Sequence, residues 1–220
     1  DCSPSVLLFY LGLLNSFVLD FVLRFKVQTR VSNFIFYQLP IPRLQTGRSH
    51  FDALITRTAR LTCITPEFAD LWKEVMGKKW RKQDGATGPH ERAQLRAEID
   101  ALVADLYGLS ESDFAYILST FPLPDRDQPP LPGEPKSYIT RDLALLELFK
   151  LRDKTPPDDI VAFHRDTGLD IASITGEVCD LRERVQQALA LGAVGYVPSG
   201  RGGQEEEAGE EEDDDEGIMQ

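Results

Sequence analysis

The chain of 220 residues carries 36 acidic and 24 basic side chains, a net charge of −12, with 42% hydrophobic residues. That hydrophobic share is ordinary for a globular protein, and the length allows one or two domains, so a collagenous or wholly disordered chain is excluded. Ten of the acids lie within residues 205–216 with no base among them; elsewhere 26 acids face 24 bases, and the first 96 residues hold 14 bases against 8 acids.

The front half is therefore mildly basic, which suits a polyanionic partner. The first element is read at residues 6–25, where Leu11, Leu14, Val18, Phe21, Val22 and Phe25 recur at helical spacing. Ser16, Asp20 and Arg24 form its only polar stripe, and the last two are spaced to pair. A helix with so narrow a wet face is expected to be buried in a larger assembly. Four polar residues interrupt the run, which argues against a membrane span or signal anchor. Gln28 to Ser32 ends the helix, and Asn33 to Leu39 is expected to be extended, leading into Pro40-Ile41-Pro42. With no Met at its start and nothing ahead to cover that helix, the chain is expected to begin inside a domain.

Residues 43–62 predict a short amphipathic helix with Phe51, Leu54 and Ile55 inside and Arg48, Arg57 and Arg60 outside. Thr65-Pro66-Glu67 reads as a helix start and Gly77 as its stop. Lys78, Lys79, Arg81 and Lys82 then surround Trp80. Bases interleaved with an aromatic can grip a phosphate backbone, although a solvated link with one buried indole is the simpler reading. Glu91 to Tyr107 predicts a long helix with Leu95, Ile99, Leu102 and Leu106 inward and Gly108 at its end. Ser110 and Asp113 make a capping box for the next helix, ending at Phe121-Pro122. Thr140 is read as the cap of a helix bearing Leu143, Leu146, Leu148 and Phe149, after a proline-rich connector. Pro156-Pro157 opens a short helix, and Glu177 to Leu191 forms the last one. Ala193 to Val197 is expected to make one short strand, and residues 199–220 a disordered acidic tail.

Catalytic signatures are missing from the sequence. It contains no phosphate-binding glycine loop, no G-x-G-x-x-G, no H-E-x-x-H and no G-x-S-x-G. Cys2, Cys63 and Cys179 are odd in number and far apart, which argues against a disulfide framework or zinc site. His50, His90 and His164 have no partner at metal-ligand spacing.

Three stretches resemble a known family as a set. LLNSFVLDFVLRFKV followed by NFIFYQLPIP resembles the end of the target-recognition region in large adenine-specific DNA methyltransferases, the single-chain restriction–modification and phage-defence enzymes. RAQLRAEIDALVADLYGLSESDFAYILSTFPL and YITRDLALLELF are similar to elements that follow it in those proteins, in the same order across residues 11–150. The family's S-adenosylmethionine loop and Asn-Pro-Pro-Tyr motif are not in this sequence, and Gln28-Thr29-Arg30 replaces its usual glycine pair. The resemblance thus implies a cytoplasmic DNA-reading and bracing portion with no cofactor of its own, acting on double-stranded DNA beside an upstream methyltransferase domain. Such enzymes flip the adenine out of the duplex, so a separate module must hold the site in register. Arg24, Lys26, Arg30, Lys78, Lys79, Arg81 and Lys82 are the expected phosphate contacts, and Asn33 and Gln38 have the amide geometry for adenine edges.

The fold expected is mainly α with a minor β element. Residues 1–45 would end a recognition domain, 46–153 form a helical scaffold, 154–198 a small helical extension and 199–220 the tail. The alternatives are a stand-alone helical interaction module and a specificity subunit acting in trans.

Overall fold

The computed structural model describes residues 3–27, 32–42, 49–121, 123–166 and 177–196. The expected acidic tail and residues 28–31, 43–48 and 167–176 lie outside that set. Among the described residues there are ten α-helices and no strand, so the mainly α expectation holds and the minor β element is not seen.

The apolar run at the front is two helices. Ser3 and Pro4 start α1 (Pro4–Leu14), and Ser16 starts α2 (Phe17–Lys26), with a bend of 69° between them. Side chains cause the break. Asn15 donates its amide to the Leu11 carbonyl at 2.8 Å, and the Ser16 hydroxyl donates to the Leu13 carbonyl at 2.7 Å. Both compete with the backbone for helical partners. No single helix among the described residues is long and apolar enough to cross a membrane.

The segment expected to be extended is instead a short helix, α3 (Asn33–Phe36), because the Ser32 hydroxyl accepts the Ile35 N–H. Leu39 is buried beyond it, and the Pro40 carbonyl accepts the Tyr107 hydroxyl at 2.8 Å. Next comes α4 (Ser49–Thr62), which lies against α1. A Cβ on Gly12 would collide with Thr58 Oγ1, so only glycine admits this approach. Thr65-Pro66 opens a 3₁₀ turn rather than the α-helix itself, and α5 (Ala69–Met76) follows, closed by Gly77 at φ 67°.

The centre is α6 (Pro89–Leu106) packed along α8 (Ile139–Leu151), with α7 (Glu111–Ser119) and α10 (Leu181–Ala190) on the other sides of α8. The expected Ser110 cap is present: its hydroxyl accepts the Asp113 N–H at 3.0 Å. Thr140 does not cap α8. Its hydroxyl and N–H go to Asp125 of the connector, at 2.5 and 3.1 Å, and Tyr138 precedes the helix without a side-chain cap. The last helix starts at Leu181, four residues later than Glu177, because Asp180 supplies the capping carboxylate. Residues 193–196 form no strand. With no strand to pair with, their backbone turns to the Ala188 carbonyl and the Gln128 side chain.

One apolar core runs from Leu8 to Ala193. Helix α8 is buried on nearly every side, so its charges must be paired internally. Arg184 of α10, wholly buried, donates Nε to Asp142 Oδ2 at 2.8 Å and Nη1 to the Val178 carbonyl at 2.8 Å, and pairs with Glu134. Arg141 holds the other Asp142 oxygen at 2.7 Å. Burial pushes Asp142 up, but Arg141 and Arg184 more than reverse this and leave it below the usual carboxylate range. His164 of α9 (Ile160–Asp166) is buried beside this group. Burial and the neighbouring Arg141 push its imidazole down to about 3, so it is neutral at physiological pH.

Removing one member of such a cluster strands the others. Arg184→Met is expected to cost about 3–5 kcal/mol of folding stability. Urea unfolding at neutral pH measures this, and a loss below about 1 kcal/mol would mean that the pairs are not what holds α10 to α8.

Candidate functional site

Two groups of the expected phosphate-binding residues are placed apart. Arg24 and Lys26 sit on the last turn of α2. Arg24 reaches Asp20 at 3.0 Å, the pair expected from spacing, and its guanidinium lies 4.0 Å above the Phe121 ring. Lys26 is exposed and forms no ion pair among the described residues. Arg30 lies outside the described residues. Asn33 opens α3 and Gln38 follows it, both exposed.

The second group is organised around the buried Asp84. Arg81 grips its carboxylate at 3.1 and 3.3 Å and also donates its backbone N–H, while Lys78 stands 3.7 Å away and 5.3 Å over the Trp72 ring. The hydrogen bond from Arg81, against a smaller effect of burial, holds the Asp84 carboxyl below its ordinary range. Trp80 spends its indole N–H on the Cys63 carbonyl at 2.8 Å, so the indole ties the link down. Lys79 and Lys82 remain exposed, with no ion pair among the described residues.

Between these helices lies a cleft of about 890 Å³. Arg24 lines it, but Lys78, Lys79, Arg81 and Lys82 do not. Its other arginines are Arg92 and Arg96 of α6 and Arg126 of the connector, none of which was picked out from the sequence. The signal was there: Arg92, Arg96 and Asp100 recur every four residues, one stripe beside the apolar one. Arg92 donates to the Leu61 and Ala86 carbonyls at 3.1 and 2.8 Å. Arg96 donates to the Tyr196 carbonyl at 3.0 Å and lies 5.8 Å from that ring. Burial, then repulsion from Arg92, lowers the pKa of Arg96.

Asp100 is the buried carboxylate of the cleft, 5% exposed. Its Oδ1 accepts the Phe17 N–H at 2.8 Å, the first N–H of α2. Burial pushes its carboxyl up to about 7, against the opposing pull of that N–H and of Arg96. Phe17 also stands 4.7 Å from the Phe121 ring and 6.0 Å from that of Tyr196, so three rings share the mouth. Among the described residues no group of three or more His, Cys, Asp or Glu side chains is placed to hold a metal. Comparison of the chain with known protein families, with characterised proteins and with solved structures finds no match.

The raised carboxyl makes stability depend on pH. Folded Asp100 titrates near 7 and the ordinary value is 3.8, so the native state holds the proton more tightly. Stability from this group is present below pH 4 and is lost as pH rises towards 7. Asp100→Asn removes that loss while keeping an acceptor for Phe17. The stability of the wild type relative to the variant is expected to fall by up to about 4 kcal/mol between pH 4 and pH 8. Paired urea titrations across that range check this, and a gap that stays constant with pH would place the proton elsewhere.

Proposed function

We propose that this chain is a DNA-recognition and bracing portion of a site-specific adenine DNA methyltransferase or restriction–modification enzyme. The observation that carries the reading is the set of three stretches, in family order, across residues 11–150. Base chemistry and S-adenosylmethionine belong, on this reading, to a methyltransferase domain beside which the portion works. The geometry is compatible in two respects. Phe25, Phe34 and Tyr37 are 76%, 73% and 83% exposed, on the stretch that also carries Lys26. Aromatic side chains with neighbouring cations suit a nucleic-acid surface. Leu7 and Leu11 on α1 also stay exposed, an apolar face where a further domain could sit.

A second reading keeps support from the cations. Among the described residues they do not converge on one groove, and Lys78 and Arg81 are engaged by Asp84. That arrangement favours a stand-alone helical protein-interaction module; a specificity subunit acting in trans would share the DNA reading's expectations.

Salt-dependent DNA binding separates the two. With a 20-base-pair duplex and fluorescence anisotropy, the DNA reading expects affinity to fall as salt rises from 50 to 200 mM. Lys26→Ala is expected to weaken binding and lower the logarithmic salt slope by about one. Lys78→Ala, already committed to Asp84, should change the slope little. Absence of binding at 50 mM salt would leave the interaction module standing.

A further inference from the structure

The cleft has a composition that DNA binding does not account for. Its volume, about 890 Å³, is that of a small-molecule site rather than of a duplex groove. One wall carries Arg92 and Arg96 a turn apart on α6, and among the described residues neither forms an ion pair. Like charges this close repel unless an anion joins them.

The charges facing that wall do not supply the anion. From α2, Asp20 is already paired with Arg24. From the connector, Asp127 is exposed and forms no ion pair with Arg92 or Arg96. The faces that α1, α4 and α8 turn to the cleft carry no charged residue. Asp100, on the wall itself, attracts Arg96 weakly, but it is buried, its Oδ1 takes the Phe17 N–H, and it forms no ion pair with either arginine. The rest of the lining is partly apolar: Leu143 and Ala144 of α8, and the rings of Phe17, Phe121 and Tyr196, the last in contact with Arg96.

We infer that the cleft between α2, α6 and the connector binds a small organic anion with a flat ring. Its carboxylate or phosphate would lie on Arg92 and Arg96, and its ring among Phe17, Phe121 and Tyr196. A guanidinium pair matches either head group through paired N–H donors. Ring faces and apolar side chains take the body, and Arg126 closes over the exposed edge of the head.

The inference is independent of the DNA reading and is tested on the full chain without DNA. Four probes are titrated by calorimetry: adenosine 5′-monophosphate, 2-naphthoate, adenosine and inorganic phosphate. At least one of the first two is expected to bind at least about tenfold more tightly than either adenosine or phosphate, because head and ring act together. Whichever binds tells phosphate from carboxylate. Arg96→Gln and Arg126→Ala are each expected to weaken it about tenfold, the loss of one charged hydrogen-bonding partner. Arg126 is exposed on the connector, so its variant reports on binding even where Arg96→Gln perturbs the fold. Binding of neither ring-bearing anion at millimolar concentration overturns the inference, as does binding that ignores Arg126→Ala.

Discussion

The contact on which the front of the molecule depends is the hydrogen bond from the Phe17 N–H to Asp100. A helix start leaves its first N–H groups without partners, and a buried one must find them elsewhere. Here α6 supplies the acceptor at 2.8 Å, across 83 residues of chain. That bond anchors the start of α2 on α6, at the break that the Asn15 and Ser16 side chains make in the apolar run. With the bend in place, α1 lies on α4 while α2 reaches α6 and α7. The space left between the two directions is the cleft. The same carboxylate thus anchors the helix and lines the site, and burial that serves the first role lifts its pKa in the second.

The back of the molecule is held by a different logic. Helix α8 has buried residues on every side, including Arg141, Asp142 and Glu147. Charges removed from water cost several kcal/mol each, and their mutual attraction offsets this only when every partner is present. Arg184 and Arg141 provide that for Asp142 from opposite sides. An apolar cluster of equal volume would be about as stable, by the same principle. Three directed contacts on Arg184 — Asp142, Glu134 and the Val178 carbonyl — leave α10 a single register on α8.

Local chemistry was legible in the sequence, and long-range chemistry was not. Gly77 and Gly108 do end their helices in left-handed conformations, and Ser110 does cap α7. These signals act within four residues, so the sequence carries them whole. The break at Asn15-Ser16 escaped because apolar periodicity runs straight through it and its anchor is in another helix. Thr140 shows the same failure: hydroxyl, proline-rich approach and apolar run all read as a cap, yet Asp125 takes the hydroxyl first. The run Asn33 to Leu39 has strand composition, but a strand needs a neighbour and Ser32 offers a local helical alternative. Among the site residues, the Asp20–Arg24 pair was readable from its spacing. Arg92, Arg96 and Asp100 do show a stripe at four-residue spacing, but charges on a helix flank are usually solvated, so the stripe alone does not mark a cleft wall.

Where the cations end up bears on how the proposed functions can coexist. A basic side chain contributes to DNA affinity only as far as it is free to exchange small counterions for phosphate. Arg81 and Lys78 are committed to Asp84, and Arg24 to Asp20 and the Phe121 ring. The exposed lysines, Lys26, Lys79 and Lys82, are the ones left for phosphate. The arginines of α6 face inward, where a duplex does not reach but a small anion does. On this reading the exposed lysines suit a diffuse polyanion, and the half-buried Arg92 and Arg96 suit one directed head group. Because Arg24 belongs to α2, whose start is anchored by Asp100 in the cleft and whose end carries Lys26, anything bound inside would act on the same rigid element that presents the outer surface.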